Sequence, residues 1–201
     1  MQRTLVGALF AMLGLMLWAD AAPAAMPAAT VVAVSGPCSA RGRALKPGEA
    51  VQVSDTINVP ADCNLKLRMA DGSVISVAPG SSMTVKSYNL GAAGRDVKLS
   101  LTQGLLRAVV APVAGPSIFE VSTAAGAASV RSASADWFIK AEPGSAQVGV
   151  LDGEVDLTSA ATGRSVSIPG HWGTRLETGR DPVPPRNWTE AEFDAVTDST
   201  H

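Results

Sequence analysis

The sequence predicts an all-β domain, an antiparallel sandwich or roll of short strands and hairpins, followed by a short C-terminal helix. Three observations predict it. Apolar residues alternate two apart in one stretch after another, as in "VGVLDGEVDL" at 148–157. Turn signals rich in Gly and Pro, "KPGE", "APGSS", "NLGAAGR", "PVAGP" and "AEPGS", separate those stretches at short intervals. Helical periodicity is nearly absent before residue 186.

The chain opens with "MQRTLVGALFAMLGLMLWADAAPA", which has a basic start at Arg3 and an apolar run over 5–18. Ala19-Asp20-Ala21 matches a small-residue cleavage site. Residues 1–21 therefore read as a secretory signal peptide. The alternative is a retained membrane anchor, but the run is short for a bilayer span. Residues 22–29 read as a flexible lead-in, residues 30–185 as the β domain and residues 186–201 as a partly helical tail. No second long apolar run follows, so the expectation is a periplasmic or secreted chain without a membrane span after cleavage.

Within the domain, strands are expected at 30–34, 49–53, 84–88, 119–122, 129–131 and 137–141, beside four hairpins. Asp152-Gly153 suits a two-residue turn that opposes Leu151 to Glu154, Val150 to Val155 and Val148 to Leu157. Asp71-Gly72 would oppose Met69 to Val74 and Leu67 to Ser76. Gln103-Gly104 would oppose Leu101 to Leu106 and Leu99 to Ala108. Thr162-Gly163 would oppose Leu157 to Ile168 and make 147–168 a three-stranded meander. After the stiff "PVPP", Thr189 and Glu192 form a capping-box pattern. Trp188, Phe193 and Val196 could supply an apolar side to that helix; Trp188 and Phe193 would dock it on the sheet, the alternative being a patch for another protein.

The formal net charge is −2. With no basic stripe, the chain lacks the electrostatic footprint of a nucleic-acid binder. Cys38 and Cys63 are the two cysteines. In an oxidising compartment they most simply form one bridge; two buried thiols or an intermolecular bridge are the alternatives. Closing such a loop contributes about 3 kcal/mol in the chain-entropy model.

Taken together these stretches resemble the FecR family. "LKPGEAVQVSDTINVPADCNLKLRMADGSVISVAPGSSMTV" looks like its opening half, "LSLTQGLLRAVV" and "FEVSTAAGAASVR" like its middle, and "VGVLDGEVDL" and "SVSIPG" like its end. The tail "PRNWTEAEFDAV" looks like tails of single-domain members. The chain departs from the family at "VRSASADWFI", where Ser132 replaces a frequent Gly. The resemblance implies a mainly β, non-catalytic periplasmic domain that binds a protein or another envelope component. Regulatory members carry a cytoplasmic segment ahead of the membrane; none precedes the signal here, so a sigma-regulator role is not implied.

Individual residues add less. His171, in "IPGHWGT", is the one histidine inside the domain, and no nucleophile elbow accompanies it. It reads as a loop residue, and no catalytic set is assigned. Asp152, Glu154 and Asp156 read as the wet face of a strand and not as a calcium loop. No metal and no cofactor is expected. Trp137 alternates with Ile139 and is assigned to the core, which leaves Trp172, with His171 beside it, as the candidate surface contact. The expected function is a non-enzymatic adaptor for an envelope protein. The alternative is a secreted carbohydrate- or cell-wall-binding module.

Overall fold

The computed structural model describes residues 27–92, 94–131 and 134–200. The expected signal peptide, most of the lead-in and Ser132 lie outside the described residues. Short strands come first: β1 (Ala29–Ser35), β2 (Ser39–Ala40), β3 (Arg43–Ala44), β4 (Ala50–Val51), β5 (Thr56–Val59), β6 (Asn64–Met69) and β7 (Val74–Val77). Longer ones follow: β8 (Ser81–Gly91), β9 (Gly94–Val110), β10 (Ser117–Ser122), β11 (Gly126–Val130), β12 (Ala135–Glu142) and β13 (Ser145–Asp152). The chain ends through β14 (Glu154–Ser159), β15 (Ser165–Pro169), β16 (Trp172–Glu177), β17 (Arg186–Asn187) and α1 (Glu190–Thr197). Of the expected lead-in, Ala28 and Ala29 are buried, and the Ala28 amide donates to Val51 O.

The strands form two layers. One runs β4-β1-β6-β7-β9-β12-β13-β16-β17. The other runs β3-β2-β5-β8-β9-β10-β11-β14-β15. Pairing is antiparallel except between β9 and β10. The chain visits the layers in turn, one or two strands at a time. β9 belongs to both: residues 94–103 pair with β8, and residues 104–110 pair with β7 and β12. The inward side chains of both layers, among them Leu67, Ile75, Trp137 and Val148 facing Leu99, Phe119, Val121 and Leu157, make one buried cluster.

This topology corrects four expected turns. Asp152-Gly153 is no hairpin, because β13 pairs with β12 and β16 while β14 pairs with β11 and β15. The dipeptide is a corner between layers, and 147–168 is no meander. Gln103-Gly104 is a second corner, inside the continuous β9. Asp71-Gly72 is a true hairpin, but Leu67 faces Ile75 and Arg68 faces Val74. Ala70 joins Asp71 and Gly72 in a three-residue loop, closed by the Met69 amide on Ser73 O with Gly72 at φ +87°, and this shifts the register by one. At Thr162-Gly163 the hairpin forms with Val155 opposite Ile168 and Leu157 opposite Val166, because the loop is longer than two residues.

Each end of the roll is fastened. Cys38 lies between β1 and β2 and Cys63 between β5 and β6, and a disulfide joins them. It therefore links two of the passages between layers. At the same end Gly104 has φ +93°, and a Cβ there would fall on Ser81. The Ser81 hydroxyl accepts the Leu105 amide at 3.0 Å and so fixes the corner.

The tail packs on the outer face of the first layer. Thr189 caps α1 through the full capping box with Glu192. A helix of eight residues is unstable alone, so docking must hold it. Trp188 and Phe193 meet Phe138, with ring centroids 5.4–6.3 Å apart. Cβ atoms at Gly149 and Gly173 would collide with the Phe138 and Trp188 rings, so both glycines make the seat. The Arg186 guanidinium, together with the Thr189 amide, holds the Glu192 carboxyl down at about 2.

Gly104→Ala is expected to lower unfolding stability by about 3 kcal/mol in a urea titration, through a positive φ and a collision together. Gly163→Ala, with φ +69° and open space, should cost only about 1 kcal/mol. The folded tail favours ionised Glu192. Its contribution is thus complete above the ordinary carboxyl range near 4.5 and lost as pH falls towards about 2. Trp188 indole NMR signals should move over that window, and Glu192→Gln should abolish the acid-dependent step.

Candidate functional site

At the end of the roll opposite the disulfide, the Asp71–Ser73 turn meets the starts of β9 and β10. Arg95 occupies the inward parity of β9, in step with Val97, Leu99 and Leu101, and its side chain is fully buried. Its guanidinium donates to Asp71 Oδ2 at 2.7 Å, to Ala111 O at 2.7 Å and to Ser117 Oγ at 2.7 and 3.2 Å. The Ser73 hydroxyl donates to Asp71 Oδ2 and accepts the Ala111 amide. The Phe119 ring lies under the guanidinium, 5.8 Å from Cζ. Burial and the Asp71 carboxylate push the neighbouring Tyr88 phenol up to about 12. This network positions what lies outside it.

Outside it lies an open groove of 640 Å³, lined by Val53, Tyr88, Leu90, Asp96, Pro116 and Ile118 among others. Its volume falls within the range of about 300–1,000 Å³ typical of binding clefts. Val53 is 37% exposed. Asp96 stands opposite Asn89 on β8 and Ile118 on β10. Among the described residues the buried Asp96 Oδ1 meets no hydrogen-bond partner. The sequence reading missed both Arg95 and this groove. The available signal was a charged residue on the apolar parity of "RDVKLSL".

His171 and Trp172 sit at the same end of the roll, where β15 passes into β16. His171 adopts φ +67°. Its amide donates to Val150 O at 2.7 Å, and its carbonyl accepts from Trp188 N at 3.0 Å. Trp172 pairs with Val150 and Asn187 and is 37% exposed. Trp137 and Trp188 are buried, in keeping with core and docking roles. Asp152 ends β13, while Glu154 and Asp156 lie on β14, where Asp156 meets Arg131 at 3.7 Å. Among the described residues no cluster of three or more His, Cys, Asp or Glu could hold a metal ion. Among them, too, no helix is long and apolar enough to cross a membrane.

The sequence profile of the FecR protein family matches residues 55–156, just over half of the chain. The chain belongs to that family. The matched region runs from β5 into β14 and contains the Asp71–Ser73 turn, Arg95 and Asp96, whereas His171 and Trp172 lie beyond it. No curated protein matches the sequence. Two crystal structures described as a "putative anti-sigma factor" from Parabacteroides distasonis are similar in fold. The TM-scores are 0.57 and 0.56, with 17% and 18% identity, over 70% of this chain. This chain spans 62% and 63% of those two chains.

Asp71→Asn should lower stability in urea by about 3–5 kcal/mol, because it leaves the Arg95 charge buried and unpaired. Adding Arg95→Met to it removes that charge and should recover part of the loss in the same titration.

Proposed function

We propose that this FecR-family chain is a non-enzymatic adaptor of the bacterial envelope, periplasmic or secreted, that acts through protein–protein contact. One observation carries the reading. Among the described residues Trp172 is the one exposed aromatic side chain, and it is held on a rigid corner between two paired strands. Tryptophan on a fixed backbone is the side chain most often found at the energetic centre of protein interfaces. His171, pinned through its own amide and carbonyl, is exposed next to it in the chain. The Cys38–Cys63 bridge suits an oxidising compartment. The solved structures of similar fold are each described as a "putative anti-sigma factor", which favours a protein as the partner.

The test is capture from envelope extract by the purified chain, beside a panel of glycans and isolated cell wall. The expected result is a discrete set of retained envelope proteins, no glycan binding, and a loss of about tenfold or more with Trp172→Ala. Retention of glycan or cell wall with no protein would replace this reading with a carbohydrate-binding one. Unchanged protein capture by Trp172→Ala would remove the corner from the contact.

A further inference from the structure

We propose that the groove beside Asp96 receives an arginine or lysine side chain, flanked by apolar residues, from an extended segment of a partner protein. The inference rests on the protein-binding reading above and names a second contact for it.

The argument begins with charge. Arg95 and Asp96 are neighbours in sequence, and strand alternation sends them to opposite faces of β9. Arg95 enters the roll and is fully answered by Asp71, Ser117 and Ala111. Asp96 is left on the outer face with no counter-ion within ion-pair distance among the described residues. Its cross-strand neighbours, Asn89 and Ile118, carry no charge. Its Oδ1 is shielded from water yet receives no donor. A carboxylate stripped of water on one oxygen and given no donor is short of hydrogen bonds, which an incoming guanidinium or ammonium would supply.

The surroundings narrow the ligand. Val53, Leu90, Pro116 and Ile118 give the groove an apolar lining, with Ile118 on Asp96's face of the sheet and Leu90 on that of Arg95, which also lines the groove but has its charge answered by Asp71; a cation with flanking hydrocarbon therefore fits better than a bare one. A metal ion would need further oxygen ligands, and Asp96 belongs to no cluster of three ligating side chains. An anion would meet the carboxylate. The backbone on three sides is paired strand, β8, β9 and β10, so the groove is formed before any partner arrives.

Titration of the full chain with acetyl-Leu-Arg-Leu-amide, followed by amide NMR, tests this. Saturable shifts are expected at Leu90, Asp96 and Ile118, with acetyl-Leu-Gln-Leu-amide weaker by about tenfold. Asp96→Asn should erase that preference while the remainder of the spectrum stays in place. Ile118→Ser should weaken both peptides. Equal binding of the two peptides, a preference surviving in Asp96→Asn, shifts confined to other surfaces, or no shift at all would overturn the proposal. The two readings fail separately. If Asp96→Asn captures the same envelope proteins as the parent chain, the groove falls and the adaptor stands. If the parent chain captures none, the adaptor falls and the peptide titration still decides the groove.

Discussion

The Arg95–Asp71 pair holds one end of the roll closed. Arg95 and the groups it bonds tie together four separate places in the chain: the β6–β7 turn, the start of β9, the connection after β9 and the start of β10. Two of those lie in one layer's connections and two in the other layer. A buried ion pair is a poor source of net stability, because each charge must give up its water. Its directional bonds do something an apolar core does not: they admit one arrangement of these segments. The opposite end is held covalently by the Cys38–Cys63 bridge, which joins two further passages between the layers. With both ends fixed, the strands between them can be short.

That alternation between layers explains which parts of the fold the sequence revealed. The all-β class, most strand positions and the capped tail helix were legible, because each rests on a local rule. Strand partners were legible only for the hairpins at Asp71-Gly72 and Thr162-Gly163, and there with the register off. At Asp152-Gly153, Val148 and Val150 point into the core from one layer, and Val155 and Leu157 point into it from the other. A hairpin would also bring these four residues together on one face. The period-two pattern therefore cannot tell a turn within a layer from a corner between layers. A positive-φ glycine serves both, as Gly72 and Gly153 show. What separates them is the partner each arm finds far away in sequence, and that is absent from any short window.

Arg95 and the tail mark two more boundaries of legibility. Arg95 sits in phase with Val97 and Leu99, a placement that already points inward, yet nothing local says that Asp71 waits there. The tail is the reverse case. Trp188 and Phe193 announce an apolar face, and docking follows from their need for cover. The seat does not follow, because it depends on Gly149 and Gly173 being bare enough for Phe138 and Trp188 to lie flat against the sheet. Those glycines look like strand weaknesses in one dimension and become contact surface in three.

Register places the two candidate contacts at one end of the molecule. Ile75, Ala108, Trp137, Val150 and Trp172 share one rung of the first layer, and Val74, Val109, Asp136 and Asp152 share the next. That second rung abuts the Asp71–Ser73 turn, which Arg95 ties to the base of the groove. Three strand spacings separate β9 from β16, on the order of 15 Å, and the layers lie about 10 Å apart. An interface burying about 800 Å² on each partner covers that span. The buried clasp thus fixes more than the fold: the spacing between Trp172 and Asp96 is set by strand geometry and the Arg95–Asp71 bond, and not by loops. A partner that reads both would meet a surface with little conformational entropy left to lose, so two modest contacts could act as one.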